Sequence, residues 1–502
     1  MTPISRYARL SAFLLMAMVC LGLSGAERPR LIILADMGNE PDEEQQMAHF
    51  LLYANEFDIE GLVAVTGKFL RKDPRPDLFF DLIKGYAGVE AKLRLHAPGW
   101  PTAAYLQSVV AAGQRHYGHQ STGPGRSSQG SRLIEAALTN ADPRPLHIIV
   151  NAGSNTLLQA LIDLEARLQP DVFKAALGKL RVYENGAQDN SGSLICHRWP
   201  GLNWIRSNYQ TYSYGGPGRD ARKDGPDSTS LLGPYCWTPY PESALGQHLW
   251  FMEHVKVEHG PLLKRWPLRQ IHTSGRLEPV EGGGTIPWLR LLEVGLGGVD
   301  NPDWGNWGGR YETVRSENLF SKHADIREDE QSVIPFRMFG EAADTWTDLS
   351  SGVRYLENIY APVWRWREAF YSDFAARADW CVMDYAEANH PPQVILDGYA
   401  DDSVIHLDAL PGSAWSLDAS SSSDPDGDAL TYDWWIYAEA GSHPAASETQ
   451  LADEGPVATI ELPESPGTGT VHLILEVSDT GNRHAFTRYR RIIFNLTTTA
   501  VQ

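Results

Sequence analysis

Cysteine is scarce in this 502-residue chain, which holds 4. Cys20 lies inside an apolar N-terminal run, leaving Cys196, Cys236 and Cys381. No Cys-x-x-Cys or His-x-x-x-His spacing occurs, so nothing suggests zinc. Cys196 and Cys236 share one irregular, Gly- and Pro-rich region and are the natural disulfide pair of an exported chain. Cys381 then reads as a small buried hydrophobe. Positive charge is also short: Lys and Arg total 43 against 63 Asp and Glu, a net −20. That balance lacks the basic face nucleic acid requires and disfavours anionic membranes. Beyond residue 26 no apolar run is long enough to cross a bilayer. Internal repeats and coiled-coil heptads are lacking too. What remains, 42% hydrophobic and 21% charged, is ordinary for a soluble globular protein.

The first 26 residues read as an export signal. Arg6 and Arg9 form a positive start, Leu10 to Leu23 is almost wholly apolar, and Ser24-Gly25-Ala26 precedes Glu27. A membrane anchor is the competing reading, but a span needs about 20 apolar residues. The expectation is a periplasmic or extracellular protein that leaves the membrane after cleavage.

Residues 27–392 alternate strand and helix signals. Arg30 to Asp36 is continuously apolar, like a strand covered on both faces. Asp42 to Asn55 spaces Met47, Phe50, Leu51 and Ala54 as a helix does. Further strands are expected at 57–66, 146–150 and 180–183, with helices at 78–87, from a Ser131 cap to 138, and at 155–168. Such alternation predicts an α/β fold, a mainly parallel sheet with flanking helices. Residues 191–241 read as a long irregular insertion, followed by helical character at 243–258 and 362–389. After His390-Pro391-Pro392, short alternating segments about ten residues apart predict an all-β, Ig-like sandwich over 393–502.

The stretch LIILADMGNEPDEEQQMAHFLL (31–52) carries the chemistry. Asp36 falls at the end of a strand, where open α/β sheets bind ligands. Asp42, Glu43 and Glu44 fall in the first turn of the next helix, behind Pro41. Acidic residues there also suit the helix dipole, which accounts for Glu44. It does not account for Asp36, or for Gly38 and Asn39 in the turn. Oxygens gathered at one strand end suit a hard cation such as calcium.

Asp36-Met-Gly-Asn-Glu-Pro-Asp42-Glu43 resembles the Asp-x-Gly-x-Asp-Asp signature of nucleoside hydrolases, with two residues inserted. More of the chain resembles an exported nucleoside-hydrolase-like branch described as cellulose-binding, with an Ig-like C-terminal module. The stretches RVYENGAQDNSG (181–192), NWGGRYE (306–312), VWRWREAFYSDFAARADW (363–380), ANHPPQVIL (388–396) and SSSDPDGDALTYDWWIY (421–437) carry that resemblance. It implies a nucleoside-hydrolase-like fold and a calcium-dependent hydrolase of N-glycosidic or other small glycosidic bonds. Calcium would be held by Asp36, Glu43 and the turn at Asn151. Asp36 would accept the proton of a metal-bound water. Asn39, Asp42, Asn155, Gln188, Asp189 and Asn190 would contact the sugar. The family's late metal aspartate is missing, since this chain reads Glu281-Gly282-Gly283-Gly284-Thr285 there, and Glu281 is the substitute. The alternative is a non-catalytic binder of cellulose or cell-wall polysaccharide with a degraded hydrolase site. The partner is thus a nucleoside, a small glycoside or a polysaccharide.

Sixteen tryptophans are many. Trp199, Trp204, Trp237, Trp304 and Trp307 lie in irregular segments, where stacking on sugar and packing of long loops are both open. Trp364 and Trp366 read as structural, with Arg365 and Arg367 able to stack on them. Asp424, Asp426 and Asp428 resemble the acidic turn of PKD-like modules; a tight Asp-Gly turn and a calcium site are both open. Trp434 and Trp435 alternate on a strand, so one belongs to the core and one to the opposite face.

Overall fold

A computed structural model describes residues 27–186, 188–189, 191–217, 240, 242–270, 277–279, 281–315, 337–481 and 483–497. The expected signal segment, Asn190, Cys236 and Trp237 lie outside them. Among the described residues no helix is long and apolar enough to cross a membrane.

The first body is built on an eight-stranded sheet. Its leading strands are β1 (Arg30–Ala35), β2 (Asp58–Ala64), β3 (Val110–Ala112), β4 (Leu146–Val150), β5 (Leu180–Asn185) and β6 (Asn203–Ser207). They lie in the order β3-β2-β1-β4-β5-β6, all parallel, followed by Arg337–Glu341 and then Tyr311–Arg315. Only that last pair runs antiparallel. Successive side chains of a strand point to opposite faces. Leu31, Ile33 and Ala35 enter one core while Ile32 and Leu34 enter the other. Both faces are covered, so β1 has no polar position after Arg30, as its composition predicts.

Helix α1 (Pro41–Leu51) follows β1, with proline in its first turn. Two expectations need correction. The cap of the helix Gln129–Thr139 is Ser128, not Ser131. Ser131 sits three residues on and returns a bond to the Ser128 N–H at 2.9 Å, closing a capping box. The region after 190 is not wholly irregular either. Ser191–Arg198 is a helix and β6 is an interior strand of the sheet. A buried ion pair anchors it: Arg206 Nη2 donates to Glu184 Oε2 at 2.6 Å, across from β5.

Cys236, the disulfide partner expected for Cys196, lies outside the described residues. Cys196 and Cys381 are buried free thiols, and Cys196 packs in the second core. Tryptophan packing also displaces the sugar-stacking reading at three positions. Trp204 and Trp307 are wholly buried, and Trp199 is buried against Phe173 with its N–H on Glu165. Rings enclosed in this way offer no face to a ligand. Trp364 and Trp366 are core residues, as expected. The arginines beside them stack elsewhere, Arg365 over Trp435 and Tyr437, Arg367 over Tyr240 and Tyr371.

The second body pairs a four-stranded sheet (Ile405–Ala409, Thr487–Leu496, Gly469–Asp479, Leu430–Ile436) with a three-stranded one (Ala414–Asp418, Val457–Glu461, Gln450–Glu454). Trp434 fills the core between them and Trp435 faces away, against the first body. The acidic turn is held by its own backbone: Asp424 Oδ1 accepts from the N–H groups of Asp426 and Asp428. Asp426 accepts from the His390 N–H at 2.7 Å and so ties the turn to the linker.

Asp373, on the helix Arg367–Trp380, joins both bodies. Its Oδ1 accepts from Tyr53 at 2.8 Å and Arg377 Nε at 3.0 Å, and its Oδ2 accepts from Arg488 of the sandwich at 2.9 Å. Burial pushes its pKa up, but Arg488 and Arg377 outweigh burial and hold it below the usual carboxylate range. Removing one partner of a buried ion pair strands the others. Asp373→Asn is therefore expected to lower the unfolding free energy by about 3–5 kcal/mol, read by urea denaturation. A change below about 1 kcal/mol, the surface ion-pair range, would show that the network does not bear on stability.

Candidate functional site

The strand order reverses between β1 and β4, and an open α/β sheet binds ligands beyond the carboxyl ends at such a point. Asp36 is the first residue past β1 and Asn151 the first past β4. The Asn151 N–H donates to Leu34 O at 2.9 Å, so the two strand ends lie together. Gly67, past β2, completes the approach. A Cβ there would collide with Asp36 Oδ2 and lie 2.9 Å from the Ala152 Cβ.

Helix α1 starts over this point with three acidic residues in its first turn. Glu43 turns inward, 4% exposed, and accepts from Asn151 Nδ2 at 3.3 Å. Gln46, one turn further on the same face, accepts from the same amide at 3.3 Å. Asp42 is half-buried at the rim, as are Asn39 and Glu40. Arg269 pairs with Glu40 at 2.7 Å. Glu44 fits its structural role: burial raises its pKa, offset in part by backbone hydrogen bonding at Gly38.

Burial first, and mutual repulsion second, push these carboxyl groups toward the protonated form. Burial, then Asp42, push the pKa of Asp36 up to about 7. Burial and Glu40 push Asp42 up to about 7, against the opposing pull of Arg269. Burial, Asp36 and Asp42 hold Glu43 well above the usual range. Three carboxyl groups thus crowd one strand end with Arg269 the cation that relieves Asp42.

The segment Gly282–Gly284 lies directly on this cluster. A Cβ on Gly282 would collide with Asp42 Oδ2 and Gln46 Nε2. One on Gly283 would lie 2.7 Å from Asn185 Nδ2, and one on Gly284 would collide with Gln46 Oε1 and Asn151 Nδ2. A side chain at these positions would have to displace the ends of Asp42, Gln46, Asn151 or Asn185, whereas the backbone angles there impose no need for glycine. Glu281 is engaged elsewhere. Its Oε1 lies 2.9 Å from His49 Nδ1 without hydrogen-bond alignment, and its Oε2 accepts from Thr285 Oγ1. His49 in turn stacks on Phe374 with ring centroids 3.5 Å apart.

Oxygen donors for a hard cation are present in kind. Asp36 Oδ2, Asn151 Oδ1 and Asn185 Oδ1 are buried without a hydrogen-bond partner. In number they fall short of the six to eight oxygens calcium takes. Among the described residues no three Asp, Glu, His or Cys side chains are arranged to hold a metal.

The remaining expected site residues sit to one side. Asn155 is buried, and its amide N–H groups hold the loop at His116 O, at 2.8 Å, and Ser121 Oγ. Its Oδ1 has no partner. Asp189 is buried and accepts from Ser191 N at 2.7 Å, Gly118 N and Ser154 Oγ. Gln188 is half-buried. Sequence reasoning missed Gln46, Asn185 and Gly67. The first was visible as the residue four after Asp42 on a helix. The second was visible as a polar strand end beside β4.

Comparisons place this architecture among known proteins. Residues 30–311 match the family described as "Cellulose-binding Sde182, nucleoside hydrolase-like domain". Residues 414–496 match "Cellulose-binding protein Sde0182, C-terminal domain". Among solved structures, the chain is similar to a nucleoside hydrolase-related hypothetical protein from Saccharophagus degradans, associated with carbohydrate metabolism. The identity is 30% and the TM-score 0.76, over 94% of this chain and 100% of that one. The effector protein XOO4466 is far more distant, at 12% identity and a TM-score of 0.33 over 72% of this chain and 95% of that one. A comparison with curated proteins finds no match.

The raised carboxyls have a consequence for stability. A group whose folded pKa lies above its unfolded value favours folding at low pH, and that benefit is lost as pH rises through the folded value. For Asp36 the window runs from its ordinary 3.8 to about 7. In chelator-treated protein, Asp36→Asn is expected to raise the melting temperature at pH 8 and to flatten the decline across that window. Equal melting temperatures for both proteins at pH 8 would show that Asp36 is not held above its ordinary range.

Proposed function

The chain belongs to the cellulose-binding, nucleoside-hydrolase-like family, and from that premise we propose a carbohydrate-binding protein that grips sugar hydroxyls at the strand-end cluster. One observation carries this reading. Where a hydrolase closes its metal shell with a carboxylate, this chain lays Gly282–Gly284 against Gln46, Asn151 and Asn185. The cluster therefore mixes carboxyl groups with primary amides. A sugar hydroxyl donates one hydrogen bond and accepts others. Carboxyl oxygens accept its hydrogen bond and amide N–H groups donate to its oxygen, so vicinal hydroxyls match this set of donors and acceptors. Asp42, half-buried on the rim, is the residue for first contact, with Asn39 beside it. Export, as the N-terminal segment suggests, would bring the protein to polysaccharide outside the cytoplasm.

A second reading rests on the unpartnered oxygens of Asp36 and Asn151. They, with Glu43, are the residues that would hold a calcium ion, and such an ion would supply Lewis acidity toward water. Asp36 would be the residue placed to accept a proton, and Asp42 the one placed to hold the sugar diol. This is hydrolysis of an N-glycosidic or other small glycosidic bond.

Two measurements separate the readings. Retention on insoluble cellulose, weakened about tenfold or more by Asp42→Asn, supports binding. Unchanged retention in that variant removes the cluster from sugar recognition. For hydrolysis, chelator-stripped protein is expected to take up calcium in calorimetry, to lose that heat in Asp36→Ala, and to release base from nucleosides. No calcium heat, or the same heat in the variant, rules that reading out.

A further inference from the structure

Away from the strand-end cluster, the two bodies leave a groove between them that encloses about 560 Å³. Ligand sites run from roughly 300 to 1,000 Å³. One wall is the segment Thr345–Ser350 with Arg365 and Glu368 of the first body. The floor is the outward face of the four-stranded sheet, where Asp433, Trp435 and Glu476 stand.

We propose that this groove is a second carbohydrate site, which takes an extended stretch of an uncharged polysaccharide. The proposal rests on the carbohydrate reading above and concerns a different place. Two indole rings line the groove and both are half-buried. Trp346 is backed by Tyr355, nearly parallel at 14° with ring centroids 5.9 Å apart. Trp435 is pinned by its own N–H, which donates to Glu476 Oε1 at 2.9 Å. Rings fixed in advance lose little conformational freedom on binding, and their flat apolar faces suit the C–H faces of pyranose rings. Polar groups flank them: Asp433, Glu476 and Glu368 accept, and Arg365 donates. Two buried donors on the wall, Trp364 Nε1 and Arg365 Nε, have no protein partner.

Charge selects among glycans. Five carboxylates and two guanidinium groups line the groove. Burial, with Asp433 and Glu368 nearby, pushes the Glu476 pKa up to about 7 against Trp435 and Arg365, so the groove is already short of positive charge. An anionic polymer would meet repulsion, and a neutral one would not.

The test is calorimetric titration of the full exported chain with cellohexaose. Wild type is expected to bind at two places, one removed by Asp42→Asn. Trp346→Ala and Glu476→Gln are each expected to weaken the other about tenfold or more, the loss typical of a central contact. Glu476→Gln is close in shape and keeps an acceptor for Trp435, so it guards against loss of fold, as does a melting curve for each variant. Curves for both groove variants that superimpose on wild type overturn the groove site. In that case the Asp42→Asn curve reports separately on the strand-end cluster: lost binding leaves that reading standing, and unchanged binding removes it too.

Discussion

Buried negative charge needs a counter-charge, and the protein treats that requirement in two opposite ways. At Asp373 it is met in full. Two arginines and a tyrosine from three separate segments converge on one carboxylate and hold it ionised. The α/β body and the sandwich are joined there, because Arg488 belongs to one and Asp373 to the other. At Asp36 and Glu43 the requirement is left unmet. Among the described residues no arginine pairs with either, and both are pushed toward the protonated form. Strain of this kind persists at functional sites, where a ligand relieves it.

The glycine segment bears on the ligand proposed for the cluster. A carboxylate at 284 would need room that Gln46 Oε1 and Asn151 Nδ2 already occupy. The close approach of the Gly282–Gly284 backbone and the inward turn of Gln46 are therefore one change, not two. Glu281 does not compensate, since His49 and Thr285 engage its two oxygens deep among aromatic rings. Amides replace one charge of the shell, and amides complement hydroxyls better than they complement a divalent ion.

Much of this could be read from the sequence, for definable reasons. The continuously apolar run at 30–35 and the helical spacing after it predicted a strand and helix with a carboxylate at their junction. Strand order, which puts Asn151 beside Asp36, followed from no local pattern. The strand at 203–207 was lost because Trp204 and Arg206 look irregular until Glu184 is known to lie opposite. Gly-rich surroundings placed Trp199, Trp204 and Trp307 in irregular segments and left sugar stacking and loop packing both open. Their enclosure depends on contacts distant in sequence, such as Trp307 against Tyr489. The missing late aspartate was visible at once; that its space is filled by Gln46 was not.

The way the sandwich docks bears on both candidate sites. Its last strand does not merely touch the first body. Tyr489 N–H donates to Val294 O at 2.9 Å and Arg491 N–H to Gly295 O at 3.1 Å. Gly295, at φ +90, could carry no side chain there, for a Cβ would meet the Tyr489 carbonyl. Arg491 reaches further, donating to Leu296 O at 2.6 Å and Gly305 O at 2.5 Å. Tyr437 donates to Asp344 Oδ2 at 2.6 Å, and the Thr345 N–H donates to Glu439 at 3.0 Å. These bonds flank the groove that holds Trp346 and Trp435. Linked domains usually move relative to one another, but backbone pairing and buried arginines oppose that motion here. The walls of the groove are thus set before any ligand arrives. A rigid site loses little entropy on binding, which suits a weakly interacting neutral polymer whose affinity comes from ring faces and hydroxyl bonds alone.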